Sequence, residues 1–180
     1  MEEVLVIVDV QNDFISGVLG TKEAEAIIEP LVNKINSFNG IVLLTKDTHE
    51  KNYLSTQEGQ KLPVVHCIRG TSGWEIDSRV MEAINKRGLE YKVFEKGTFG
   101  SISLGEHLVK LYNEGKVKQI EFVGVCTDIC VVSNALLVKA MLPEVPIWVD
   151  AACCAGVTPE AHEAALTTMK SCQIDIIRNS

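Results

Sequence analysis

Short apolar runs recur along the chain, separated by stretches long enough to form a helix. Val4–Val8 is apolar at every position and Ile41–Thr45 nearly so, the pattern of strands buried on both faces. Tyr91–Phe94, Ile120–Val123, Ile147–Val149 and Ile174–Ile177 complete a set of six. Between them, helical patterns predict helices over Ala24–Phe38, Ser78–Lys86, Leu104–Asn113, Asp128–Ala140 and Pro159–Ser171. Thr158-Pro159 opens the last of these with a cap and a proline at the first helical position. Gly40 and Gly115 punctuate helix ends.

Strands alternating with helices predict an α/β fold. It is three-layered and doubly wound, around a mainly parallel six-stranded sheet in the order 3-2-1-4-5-6. The 180 residues suit a single domain, 1–180. Ligands in such folds sit beyond the carboxyl ends of the strands, near the switch in strand order, so functional residues are expected just after strands. The segment from Lys46 to about Asp77 is too long for a simple crossover. It follows strand two at that same edge, which marks it as functional.

Composition narrows the partners. Hydrophobic residues make up 46% and charged residues 23%, as in a soluble globular protein, and the net charge of −7 argues against nucleic acid or an anionic membrane surface. No apolar run reaches the roughly 18 residues that span a bilayer. The start Met1-Glu2-Glu3-Val4 is acidic and enters a strand at once, unlike a signal or transit peptide, so the expected location is cytoplasmic. Six cysteines in a reducing compartment read as free thiols, with no CxxC pair among them. The apolar helices leave room for a homo-oligomer.

Three residues meet the strand-end test. Asp9 closes strand one, Lys96 follows strand three and Cys130 follows strand four. Strands one and four are neighbours at the switch point, so Asp9 and Cys130 can converge. An aspartate can take a thiol proton, and a lysine beside both steadies the anions. Cys130 near a helix start is expected to favour the thiolate. The amides of Cys126 and Cys130, if both point inward, would form an oxyanion hole.

A second cluster lies in the long segment. Asp47-Thr48-His49, His66 and Glu58 supply hard and borderline ligands for one divalent metal ion. Phe14 and Phe99 could stack on a planar ring at the pocket mouth. His107 and His162, on helical segments, are expected to face solvent.

Taken in order, Asp9-Val10-Gln11-Asn12-Asp13-Phe14, Asp47-Thr48-His49, His66-Cys67 with Gly70-Thr71, Lys96 with Phe99, and Gly124-Val125-Cys126-Thr127-Asp128-Ile129-Cys130 span nearly the whole chain. Together they resemble the isochorismatase-like cysteine hydrolase superfamily and, within it, the nicotinamidases. The resemblance implies Asp9, Lys96 and Cys130 as a catalytic triad and a cis peptide between Val125 and Cys126. It also implies Asp47, His49 and His66 as metal ligands, with Glu58 where some members place a fourth. The implied metal is zinc first, then manganese or iron, helping to anchor a pyridine nitrogen.

The activity so implied is amide hydrolysis through a thioester, nicotinamide giving nicotinate and ammonia for NAD salvage. Two departures touch the pocket walls. Pro63-Val64-Val65 stands where many nicotinamidases carry an aromatic residue, and Phe99-Gly100-Ser101 replaces the usual Tyr-Ser-Ala. A hydrolase of another small amide or carbamoyl compound is the alternative within the superfamily. From another class, the alternative is a non-catalytic metal-binding or redox-sensing module.

Overall fold

The computed structural model describes residues 1–178. Six parallel strands form one sheet in the order β3-β2-β1-β4-β5-β6, as expected. They are β1 (Glu2–Val8), β2 (Ile41–Asp47), β3 (Tyr91–Lys96), β4 (Val117–Val125), β5 (Ile147–Ala155) and β6 (Asp175–Ile177). The unbroken apolar runs occupy the centre: Val4 to Val8 of β1 are within 1% of complete burial, between β2 and β4.

Helices cover both faces. The first core layer joins Val6, Phe122 and Val149 of the sheet to residues of α6 (Ile102–Asn113), α7 (Val132–Met141) and α8 (Pro159–Ser171). The second joins Leu5, Ile7 and Leu44 to α3 (Ile28–Ser37) and α5 (Ser78–Arg87). Among the described residues, no helix is long and apolar enough to cross a membrane.

Three expectations need correction. The predicted helix Ala24–Phe38 is two helices, α2 (Lys22–Ala26) and α3, broken at Ile27. Pro30 has no N–H to offer the carbonyl four residues back, so the ladder stops there. The predicted helix from Asp128 begins instead as a single π-helical turn, Thr127–Val131, before α7. The long segment after β2 is not irregular throughout. It folds into 3-10 turns at Tyr53–Ser55 and Ser72–Trp74 and the short helix α4 (Gln57–Lys61), which Thr56 caps through Gly59 N–H.

The switch between β1 and β4 is where the fold makes its site, and Gly124 decides how closely the two strands approach. Gly124 lies at φ +116°, and a Cβ there would stand 2.1 Å from the Val8 carbonyl oxygen. No side chain fits, and the conformation itself is one that L residues avoid. Gly124→Ala is therefore expected to cost at least about 2 kcal/mol in urea unfolding, the strain alone being worth about 1–3 kcal/mol. A loss below about 0.5 kcal/mol would contradict this packing.

Candidate active site

Asp9 stands just past the end of β1, its backbone at φ +48°, and is wholly buried. Its Oδ1 accepts the Thr45 hydroxyl at 2.6 Å, while its Oδ2 lies 2.6 Å from Lys96 Nζ. Lys96, at the end of β3, also reaches Cys130 Sγ at 3.6 Å and Asp47 Oδ1 at 3.8 Å. Burial alone would discharge Lys96. Asp9, Cys130 and Asp47 around it outweigh that and hold its ammonium above the ordinary value. All three strand-end residues thus meet, as the topology requires.

Burial opposes the thiolate that a helix start favours at Cys130. Burial, with Asp9 adding to it, pushes the Cys130 thiol well above its usual value, and Lys96 offsets this only in part. Burial likewise raises the Asp9 carboxyl, with Lys96 opposing. Burial thus favours the neutral form of both groups, and Lys96 opposes it at both.

The peptide between Val125 and Cys126 is cis. The Cys126 carbonyl accepts from the amides of Ile129 and Val131 at 3.0 Å each, which closes the turn that carries Cys130. Both Cys126 and Cys130 line a cavity of about 230 Å³.

The metal-ligand candidates form one cluster, their ligand atoms within 4.8 Å of one another. His49 Nε2 stands 3.0 Å from Asp47 Oδ2 and 3.5 Å from Glu58 Oε1. His66 Nε2 stands 3.5 and 3.9 Å from the same two oxygens. Ligands about 2.0–2.2 Å from a shared ion lie about 3.0–3.5 Å apart in a tetrahedral site; three of these four spacings fall in that range and the His66–Glu58 one is wider, so the group fits a divalent cation with Glu58 as its loosest ligand. His66 Nδ1 donates to the Val64 carbonyl at 2.7 Å, which turns the Nε2 lone pair inward. Burial would raise Asp47, but its bonds from His49 and His66 and the charge of Lys96 hold it well below the usual carboxylate range. It is the anionic centre of the cluster.

Several residues that build the site were not singled out from the sequence. Gln11 grips the backbone of Asp47, donating to its carbonyl (2.8 Å) and accepting its N–H (2.7 Å). The Asp13 carboxylate accepts Cys67 N–H at 2.8 Å, and Tyr53 packs against both His49 and His66. Gln11 and Asp13 lie in the run after Asp9, which was the available signal; Tyr53 had none. His107 and His162 are half-buried, not fully turned to solvent. His107 packs on Phe94, and His162 Nδ1 lies 2.7 Å from the Thr127 hydroxyl.

Phe14 and Phe99 both line the cavity, and Phe14 meets His66 edge-on. Leu19, Leu62, Ile129 and Val157 supply most of the remaining apolar wall. Leu62 rather than Pro63-Val64-Val65 thus forms the wall near His66. Asp47, Glu58 and His66 also border the cavity, so the metal cluster and Cys130 open onto one space.

Residues 3–179 match the Isochorismatase domain family. The chain belongs to that family. It is 28% identical over 195 residues to the nicotinamidase/pyrazinamidase of Mycobacterium tuberculosis, covering 98% of both chains. The crystal structure of nicotinamidase/pyrazinamidase from Bacillus subtilis matches with a TM-score of 0.84 at 26% identity, covering 99% of this chain and all of that one. The pyrazinamidase of Pyrococcus horikoshii in complex with zinc matches at 0.79 and 27% identity, over 99% of this chain and 100% of that one.

If burial holds Cys130 as a thiol, its alkylation by iodoacetamide, followed by peptide mapping, should be slow at pH 7. The rate should rise about tenfold per pH unit and show no plateau before the ordinary thiol range near 8.5. A plateau below pH 8 would mean a neutral-pH thiolate and contradict the electrostatics of the site.

Proposed function

We propose that the chain is a metal-dependent cysteine amidohydrolase that converts nicotinamide to nicotinate and ammonia. The observation that carries this is a shared cavity: Cys130, which Lys96 links to Asp9, and Asp47, Glu58 and His66 of the four-ligand cluster border the same apolar space. A cavity of about 150 Å³ holds benzene, so about 230 Å³ suits one six-membered ring with a carboxamide.

Cys130 Sγ attacks the carboxamide carbon while Asp9 takes the thiol proton. The amides of Cys126 and Cys130 receive the negative oxygen. Asp9 passes its proton to the departing nitrogen, the C–N bond breaks, and ammonia leaves a thioester on Cys130. Water then adds to the thioester with Asp9 taking its proton. The thiol reforms with that proton as the carboxylic acid is released, and the acid then gives its own proton to water. Lys96 keeps Asp9 ionised between these transfers.

A divalent ion on Asp47, His49, Glu58 and His66, zinc foremost, supplies a Lewis-acid anchor for a ring nitrogen. Phe14 and Phe99 flank the ring. We place the reaction in cytoplasmic salvage of pyridine nucleotides.

The walls keep the other-amide reading in view, since Leu62 and Val157 are aliphatic. Ammonia release from nicotinamide, pyrazinamide and aliphatic or carbamoyl amides discriminates the two. The zinc-loaded protein is expected to prefer the two aromatic amides, to lose at least about 100-fold in rate with chelator or His66→Ala, and to lose all turnover with Cys130→Ala. Chelator-insensitive turnover of an aliphatic amide would support the other hydrolase. Turnover retained by Cys130→Ala would remove the nucleophile assignment.

A further inference from the structure

The turn that carries Cys130 is fastened from behind by a part of the fold with no role in the chemistry above. Thr127 and Asp128, the two residues that open the π turn, each reach the junction of β5 and α8. Thr127 is fully buried and its hydroxyl lies 2.7 Å from His162 Nδ1. Asp128 Oδ1 accepts the Val157 N–H at 3.0 Å.

Gly156 makes the close approach possible. A Cβ on it would fall 2.8 Å from His162 N and 2.9 Å from Asp128 Oδ1. Val157 is itself a wall of the cavity, so the Asp128 bond joins the nucleophile's turn to the pocket wall.

We propose that His162 is a positioning residue for Cys130. A π turn holds one more residue than an α turn, and such turns are rare outside functional sites. Relaxation to α geometry would rotate every following side chain about the helix axis, Cys130 among them. On one side Lys96 fixes the sulfur at 3.6 Å; on the other, His162 fixes Thr127 three residues earlier. Without that second anchor the turn can relax, and Sγ leaves its place beside Asp9 and the carboxamide carbon. Misplacements of about 1 Å in such geometry cost about 100-fold in rate.

The inference rests on the amidase reading of Cys130, and its test separates the two. His162→Ala and Thr127→Val are expected to lower kcat about 10- to 100-fold while leaving KM within about twofold. Thr127→Ser, which keeps the hydroxyl, and His162→Asn, whose amide reaches near the Nδ1 position, should recover most of the loss. The double variant H162A/T127V should be no slower than either single one.

Alkylation of Cys130 by iodoacetamide, mapped by mass spectrometry, reads the same geometry without substrate and should change in the Ala and Val variants but not in the rescuing pair. An unchanged kcat in a folded His162→Ala protein overturns the proposal. So does equal loss in the Ala and Asn variants with a matching fall in Tm, which is the mark of a merely structural residue. Should the wild-type protein release no ammonia from any amide, the amidase reading fails, and the alkylation rates alone decide whether His162 positions the thiol.

Discussion

A single buried ammonium, that of Lys96, joins the two halves of this site. It lies 2.6 Å from the Asp9 carboxylate and 3.8 Å from that of Asp47, and it touches the Cys130 sulfur. A buried charge is tolerated only when paired, and removal of one partner strands the others. Lys96 therefore favours the ionised forms of Asp9 and Asp47 so deep in the protein, against the burial that raises both. Asp9 and the candidate metal ligands are electrostatically one unit through it, though these residues come from three strands and a loop.

The sheet supplies the rigidity that this unit needs. β1, β3 and β4 deliver Asp9, Lys96 and the Cys130 turn to one edge. The strand order alone puts β1 beside β4, where Gly124 lets the backbones nearly touch. The segment between β2 and α5 then wraps over that edge, bringing His49, Glu58 and His66 to Asp47. Gln11 and Asp13 reach across from the β1 end to hold it. The apolar cavity is what remains between the sheet edge and this wrap.

Much of this was legible in the sequence. The six strands, their order and the convergence of Asp9, Lys96 and Cys130 follow from apolar runs and parallel topology, since a strand end is a fixed place in such a sheet. The Asp47-His49-Glu58-His66 cluster was legible as chemistry, but its closure depends on the Gln11 bonds to Asp47 and on Tyr53 packing against both imidazoles, and no local pattern announces Tyr53. Apolar runs also stopped short of the strand ends: β5 continues through Asp150–Ala155, where pairing with β4 and not side-chain type sustains it. The helix-start argument for a Cys130 thiolate holds while solvent or a cation dominates and leaves out burial, which pushes the thiol the other way. Here burial dominates. Leu19, Leu62 and Val157 come from three distant loops and meet only in the folded chain.

The central claim is that Cys130 carries the acyl group of an amide between two proton transfers by Asp9. The zinc-loaded protein mixed with nicotinamide, quenched in acid within milliseconds to seconds and analysed by mass spectrometry of its peptides, tests it directly. The account predicts a nicotinoyl thioester on the peptide containing Cys130, present during turnover and gone when substrate is exhausted. Ammonia release with no acyl group on that peptide at any quench time would contradict it.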